Sequence, residues 1–521
     1  MDERKKKRLA LVGAGYSNLQ VLRLLATSDA IDSITLIDAN SESVYCGSIP
    51  ENISNFEKSK FPKPEWRIDL KNVCQAHDQR DKIQFVQGEV VDIDLADRCI
   101  YLNDGMETTT ISYDLVAIDI GSKSKSITDI PGAFENVIPT RPMKMLMDRL
   151  DEIEKNFFDD QQNCTLPVSD GENLELEQPP LNIAVVGGGA SGIELALSIV
   201  GRWRPMLQGR VMNVRLVTSD HILLPEIAYA RKRLKDILAD RGIYMIFQSA
   251  VDRVDDCCLH LESGMTVPFS YCFWATGAAP HHLAKSVLPK RGLAVSSDGW
   301  IEVDPTLQSR SHPNVFAAGD CSSFVNPLPK AGIFALQEGP VLAENMERFA
   351  RQQSLIEFQP DLEDLQFLGC GDGTAMGFAF GLVLRGEWVY QIKLAMDRRH
   401  FLTLTGGSAV TRGSGKHIHE ENSQYHSNQE MLRRVEKMPT REAGKMLTQI
   451  DVNNYQEAWA ILERMSFNKE YRQKVMKEYN RFASAEHRGT EKRRKKESGV
   501  LPSHFSFLQW LLPVKTGQNK E

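Results

Sequence analysis

No run of about twenty consecutive apolar residues occurs in the 521-residue sequence, so no helix of it is expected to span a bilayer. Cysteine is sparse. The nine residues are scattered apart from Cys257-Cys258, and none stands at metal-ligand spacing. A zinc framework and a disulfide scaffold are thereby excluded, no metal is expected, and reduced thiols fit a cytoplasmic setting. The net charge of −7 argues against a general nucleic-acid binder. The basic start, MDERKKKR, runs directly into a strand with no separate apolar segment, so no secretory signal is expected. What remains, at 42% hydrophobic and 25% charged, is an ordinary globular composition with room for several domains.

The most informative stretch is Leu9–Asp38. LALVGAG ends an apolar strand in a glycine turn, Leu19, Leu22 and Leu25 follow at helical spacing, and Ile34–Ile37 is a strand closing on Asp38. Strand, glycine turn, helix and a strand ending in a carboxylate begin a dinucleotide-binding βαβ unit. The turn Gly13-Ala14-Gly15-Tyr16-Ser17 would bring backbone amides to a pyrophosphate at the helix's positive end, and Asp38 would accept from a ribose. Asn18 stands where the pattern has its third glycine. A second, complete copy is LNIAVVGGGASGIELALSIV, with Gly187, Gly189 and Gly192. A third signal is NVFAAGD, a strand delivering Gly319-Asp320 to its carboxyl end, where ligands lie in open α/β sheets.

The pattern predicts an α/β chain with two Rossmann-like dinucleotide-binding domains, the second inserted in the first. Residues 1–150 and 289–350 make the first domain, with a buried strand SYDLVAIDI ending at Gly121. Residues 151–180 are a polar excursion, and 181–288 form the second domain, with SYCFWA ending at Thr276-Gly277. A small strand-rich domain, containing FAFGLVLRGEWVYQIK, covers 351–407. A polar linker and helical tail fill 408–521, where Ala458, Ile461, Leu462 and Met465 make an apolar packing stripe.

These motifs resemble the two-dinucleotide-fold flavoprotein reductases, the superfamily of glutathione reductase, type II NADH dehydrogenases and sulfide:quinone reductases, over roughly Arg8–Phe401. The resemblance implies FAD in the first unit, on Gly13, Ala14, Gly15, Tyr16, Ser17, Asp38, Gly121, Gly319 and Asp320. It implies NAD(P)H in the second, on Gly187, Gly189, Gly192 and Gly277, with Glu194 near the nicotinamide. Members like glutathione reductase carry Cys-x4-Cys beside the flavin, whereas Tyr45-Cys46-Gly47-Ser48-Ile49-Pro50 holds one cysteine. A local disulfide relay is thereby excluded. Asp119-Ile120 replaces the usual Ala-Thr before Gly121. With Asn18, LPKAGIFALQEGPVLAEN and Asp397–Phe401, these features look most like the NADH-dehydrogenase-like flavoprotein found alone or fused ahead of selenide, water dikinase.

The chemistry expected is hydride transfer from NAD(P)H to FAD and onward to a quinone or another small acceptor. Lys330, just ahead of a helix near Gly332, is expected to place positive charge at the flavin's pyrimidine edge. Thr218, after the second strand of the second unit, marks neither NADH nor NADPH. Two alternatives stand beside this reading. One is a sulfide- or selenide-oxidising flavoprotein using Cys46 with Cys321 or Cys370. The other is a nucleotide-responsive binding protein without turnover. His281 and His282 read as surface loop, and His417 and His419 lie in the linker. A homodimer is among the partner expectations. So is peripheral membrane contact, through the basic run Glu491–Lys496 and the aromatic stretch Leu501–Val514.

Overall fold

The computed structural model describes residues 6–54, 66–103 and 108–163, then 179–361 apart from 208, 222 and 225–229. It further describes 366–406 apart from 380–381, and 434–482 apart from 436, 450–454 and 469. Residues 164–178 of the polar excursion, the linker with His417 and His419, and the basic and aromatic stretches 491–514 lie outside the described residues, while 151–163 of that excursion are helix instead.

The chain opens with β1 (Lys7–Val12), α1 (Tyr16–Leu25), β2 (Ile31–Asp38), a short α2 (Ile49–Ser54), β3 (Ile83–Gln87) and β4 (Leu115–Ile118). Then come β5 (Ile138–Pro139), α3 (Met143–Asn163), β6 (Leu181–Val186), α4 (Ala190–Met206), β7 (Met212–Val217), α5 (Arg231–Asp240), β8 (Ile243–Ile246) and β9 (Tyr271–Trp274). After these follow β10 (Val315–Ala317) and α6 (Gly332–Ala350). Strands β11 (Gln366–Gly369), β12 (Ala375–Ala379) and β13 (Leu382–Gly386) lead into α7 (Glu387–Thr405), α8 (Thr440–Thr448) and α9 (Tyr455–Phe467).

Two five-stranded parallel sheets result, ordered β10-β4-β1-β2-β3 and β5-β9-β6-β7-β8. Their central strands are apolar throughout because both faces are covered, one by helices and the other by a small three-stranded antiparallel sheet; β4, LVAI, is buried at every position. In the first sheet Leu9, Leu11 and Leu36 pack with Leu19 and Leu22 of α1 and with Leu342 and Met346 of α6. Ser17 Oγ donates to Ala335 O (2.8 Å) and Gln20 Nε2 to Leu336 O (3.0 Å), fastening α1 to α6.

The third piece differs from its strand-rich expectation. Strands β11–β13 form an antiparallel sheet, but the chain turns helical at Gly386 and stays so for the 19 residues of α7. The EWVYQIK segment is therefore helix. Its burial explains the misreading: Trp388, Val389, Tyr390, Ile392, Lys393 and Leu394 are all inside, so no single apolar stripe shows in the sequence. Helix α7 packs on the small sheet and on Ala458, Ile461, Leu462 and Met465 of α9. The small sheet in turn rests on α4. Gly371 (φ +69°) lies against Leu197 O there, and a Cβ on Gly201 would collide with Gly371 O.

Candidate functional site

The two glycine turns are built alike. Gly13 (φ +86°) and Gly187 (φ +126°) each sit against the carbonyl that ends a neighbouring strand. A Cβ would stand 2.3 Å from Asp119 O in the first turn and 2.1 Å from Ala275 O in the second. Only glycine fits either place. At the third position the copies diverge. In the second unit a Cβ on Gly192 would lie 2.1 Å from Gly187 O. In the first, Asn18 replaces that close approach with bonds, its Nδ2 donating to Gly13 O (2.8 Å) and Val12 O (3.2 Å). The apparent flaw in the first fingerprint is thus a hydrogen-bonded substitute for glycine.

Asp38 Oδ2 accepts from Ala14 N (2.8 Å) and its Oδ1 from Asn40 N (2.8 Å), which fixes the carboxylate at the end of β2. Asp119, at the end of β4, turns its carboxylate to the amino end of α1. Oδ2 accepts from Ser17 N (2.9 Å) and Asn18 N (3.2 Å). Burial, with Asp320 and Asp38 adding like charge, pushes Asp119 up to about 7. Beyond it Gly121 (φ +66°) faces open space, as do Gly189 and Gly277 (φ +99°) in the second unit. Those three glycines leave room where a nucleotide would lie, so the residues present fit a dinucleotide in each unit.

Asp320 accepts from Ser122 Oγ (2.6 Å) and pairs with Arg141, whose Nη2 also reaches Lys330 O (3.3 Å). Sequence reasoning missed Arg141, which lies in neither fingerprint. Gly319 N donates to Glu338 Oε2 (2.5 Å), and burial pushes Glu338 up to about 8. Lys330 lines a cleft with Gly319, Asp320, Phe334 and Glu338. Its ammonium is engaged within the protein, donating to Ser322 O and lying 4.4 Å over the Trp300 ring.

Glu194, on the first turns of α4, lies in a buried seam where α2, α4, β11 and α7 meet. It accepts from Gly369 N (2.6 Å), and burial pushes it up to about 8. At the centre is Lys393 of α7, 2.8 Å from Glu51 Oε1, 2.9 Å from Asp397 Oδ2 and donating to Gly47 O (2.7 Å). Burial opposes its charge, but Asp397, Glu51 and Glu194 overcome that and raise Lys393 well above its ordinary range. Burial likewise raises Glu51 and Asp397, with Lys393 pulling the other way. Tyr45 OH donates to Asp397 Oδ1 (2.9 Å) and lies 3.3 Å from His400 Nδ1. Of this group the sequence singled out Glu194, and Asp397 only within a resemblance. The one local signal was the i, i+4 spacing of Lys393 and Asp397.

Cys46 borders the seam. Its thiol is raised by burial, and Tyr16 OH donates to Sγ (2.9 Å) while accepting from Cys46 N (2.7 Å). Every cysteine among the described residues is free. His281 is partly buried rather than a surface residue, and burial pushes it down to about 4.

Two Rossmann-type sheets, two glycine turns and a Gly-Asp strand end together define an oxidoreductase built around two dinucleotides. The chain belongs to the pyridine nucleotide-disulphide oxidoreductase family, which matches residues 6–348. As a member it is an NADH-dehydrogenase-like oxidoreductase that works with FAD and a nicotinamide nucleotide. A type II NADH:quinone oxidoreductase of Staphylococcus aureus is 25% identical over 442 residues, 78% of this chain and 98% of that one. External NADH-ubiquinone oxidoreductase 2 of Saccharomyces cerevisiae mitochondria is 23% identical, over 66% of this chain and 63% of its own length. Two solved structures share the fold. The NDH2 of Plasmodium falciparum in complex with NADH has a TM-score of 0.61 at 17% identity, covering 78% of this chain and 99% of that one. The sulfide:quinone oxidoreductase of Aquifex aeolicus has a TM-score of 0.60 at 16% identity, covering 77% and 92%.

Proposed function

We propose that the chain carries electrons from NAD(P)H by way of FAD to a quinone, with NAD(P)H and one proton consumed as the quinone becomes a quinol. When bound, FAD supplies the chemistry that separates hydride donor from acceptor. Gly13, Ala14, Gly15, Tyr16, Ser17, Asp38, Gly121, Gly319 and Asp320 hold FAD, and Arg141 keeps Asp320 in place. Gly187, Gly189, Gly192 and Gly277 hold the nicotinamide nucleotide. The seam around Glu194 holds protons. Glu51, Glu194 and Asp397 share the single cation Lys393, so a neutral balance there needs two protons bound.

The observation that carries this reading is the pairing of the two turns, each with a glycine opening on free space beside its strand end. The relatives named for NADH and quinone support the choice of acceptor. The raised thiol of the half-buried Cys46, held by Tyr16 OH and with no second cysteine in its loop, speaks against a sulfide-oxidising centre at that residue. No described helix is long and apolar enough to cross a membrane. A lipid-soluble acceptor fits a peripheral position, with the 491–514 stretch as its basic and aromatic anchor, which co-sedimentation with anionic liposomes tests. The deciding experiment is anaerobic mixing of the purified protein with NADH, NADPH and sulfide in parallel. Rapid bleaching of the flavin band by a nicotinamide, followed by its return on adding quinone, is expected. Bleaching by sulfide alone would sink the proposal.

A further inference from the structure

A helix in a dinucleotide fold keeps its amino end for the ligand's phosphates, because unpaired N–H groups and the helix dipole both favour an anion there. The second unit follows this rule: its strand end brings Ala275, small and uncharged, towards Gly192. The first unit does not. Its strand end brings Asp119, 3% exposed, and the carboxylate already takes the Ser17 and Asn18 N–H groups of α1. A Cβ on Gly319 would stand 2.6 Å from Asp119 Oδ1, so this carboxylate lies between the glycine turn and the Gly-Asp strand end.

The surroundings offer little to offset it. Asp38 faces it from the end of β2, Asp320 from the turn after β10 and Glu338 from α6, and the Cys321 thiol lies close by. The nearby cations are engaged, Arg141 on Asp320 and Lys330 on Ser322 O. A diphosphate brought to this end of α1 meets an anion in a desolvated place, and like charges so placed cannot both persist. We propose that binding of FAD in the first unit is coupled to uptake of one proton by Asp119. The inference rests on the reading that FAD occupies this unit. The carboxyl is suited to the task, since burial has already brought it to about 7. Asp119 is thus a positioning residue whose charge sets cofactor affinity, and Asn18 is its partner in that arrangement.

The test is FAD retention by the full-length protein as purified, read from the fluorescence of released flavin on dilution between pH 6 and 9. Wild type should hold FAD evenly below about pH 7 and then weaken by up to about tenfold per pH unit, the slope of one linked proton. Asp119→Asn keeps an oxygen for the two N–H groups but cannot ionise, so that part of the slope should vanish. Contributions from Glu338 or Cys321 remain in both proteins and cancel in the comparison. A flat wild-type profile, or the same slope in Asp119→Asn, overturns the proposal. Should Asp119→Asn fail to fold, Asp119→Ser makes the same comparison. A wild-type protein that purifies without FAD would instead overturn the underlying assignment of the first unit.

Discussion

Lys393 Nζ lies 2.8 Å from Glu51 Oε1, joining two residues 342 positions apart and tying α7 to α2. Removing the cation leaves buried carboxylates without compensation. Lys393→Met should therefore destabilise the protein by about 3–5 kcal/mol at pH 8. The deficit should shrink at pH 6, because Glu51, Glu194 and Asp397 can then protonate. Thermal melts of both proteins at the two pH values check this, and an equal deficit at both would contradict the shared-charge account.

Glu194 makes the wild-type protein itself pH-sensitive. Its folded value of about 8 lies above the unfolded value of about 4.3. Between those limits the folded state binds more protons, so this stability is present at low pH and is lost as pH rises to about 8. The slope is at most about 1.4 kcal/mol per pH unit for one such group. Urea midpoints should fall from pH 5.5 to pH 8, and Glu194→Gln should flatten the decline.

Gly189 has an ordinary φ of −80° and faces open space, so a side chain there strains no backbone. Gly189→Val should fill the space beside the second turn. The expected result is a KM for the nicotinamide raised at least about tenfold, with FAD content unchanged. Unchanged KM would place the nicotinamide nucleotide elsewhere.

Gly15 behaves differently, because a Cβ on it would stand 2.2 Å from the Asp119 carboxylate. Gly15→Ala should lower FAD content, and shortening Asp119 in the double variant Gly15→Ala, Asp119→Ala should restore part of it. If the double variant holds no more FAD than Gly15→Ala alone, the contact between the two residues carries no weight.

Cys46→Ser should leave nicotinamide-driven acceptor reduction within a few-fold of wild type, since the half-buried thiol serves as a hydrogen-bond acceptor for Tyr16. A hundredfold loss, about 2.7 kcal/mol of barrier, would make the thiol catalytic.

Both glycine turns were legible because their pattern is local: a strand end, the glycines and a helix start fall close together in the sequence, although the carbonyls that Gly13 and Gly187 lie against come from Asp119 and Ala275, far along the chain. Asn18 and Asp119 looked like two separate departures, and only the fold shows that the Asn18 N–H donates to Asp119. Arg141 was invisible for a similar reason, since its partner Asp320 comes from the opposite end of the first sheet's chain path. The seam was the least readable part. Glu51, Glu194 and Lys393 sit on three helices distant in sequence, and apart from the i, i+4 spacing of Lys393 and Asp397 nothing about each helix alone sets its charged residue apart. Helix α7 misled for the opposite reason: burial of nearly all of Trp388–Leu394 erased the period by which a helix is recognised.

Strand β10 and helix α6 complete the first sheet although they follow the second sheet in the chain. The consequence concerns timing on the ribosome. β1 to β4 emerge first, but they lack their edge strand, and Leu19 and Leu22 lack their cover until residue 350 has appeared. The second sheet draws all its strands from residues 138–274 and has no such wait. Maturation during synthesis thus starts in the middle, and the end made first sets only after the part that follows it.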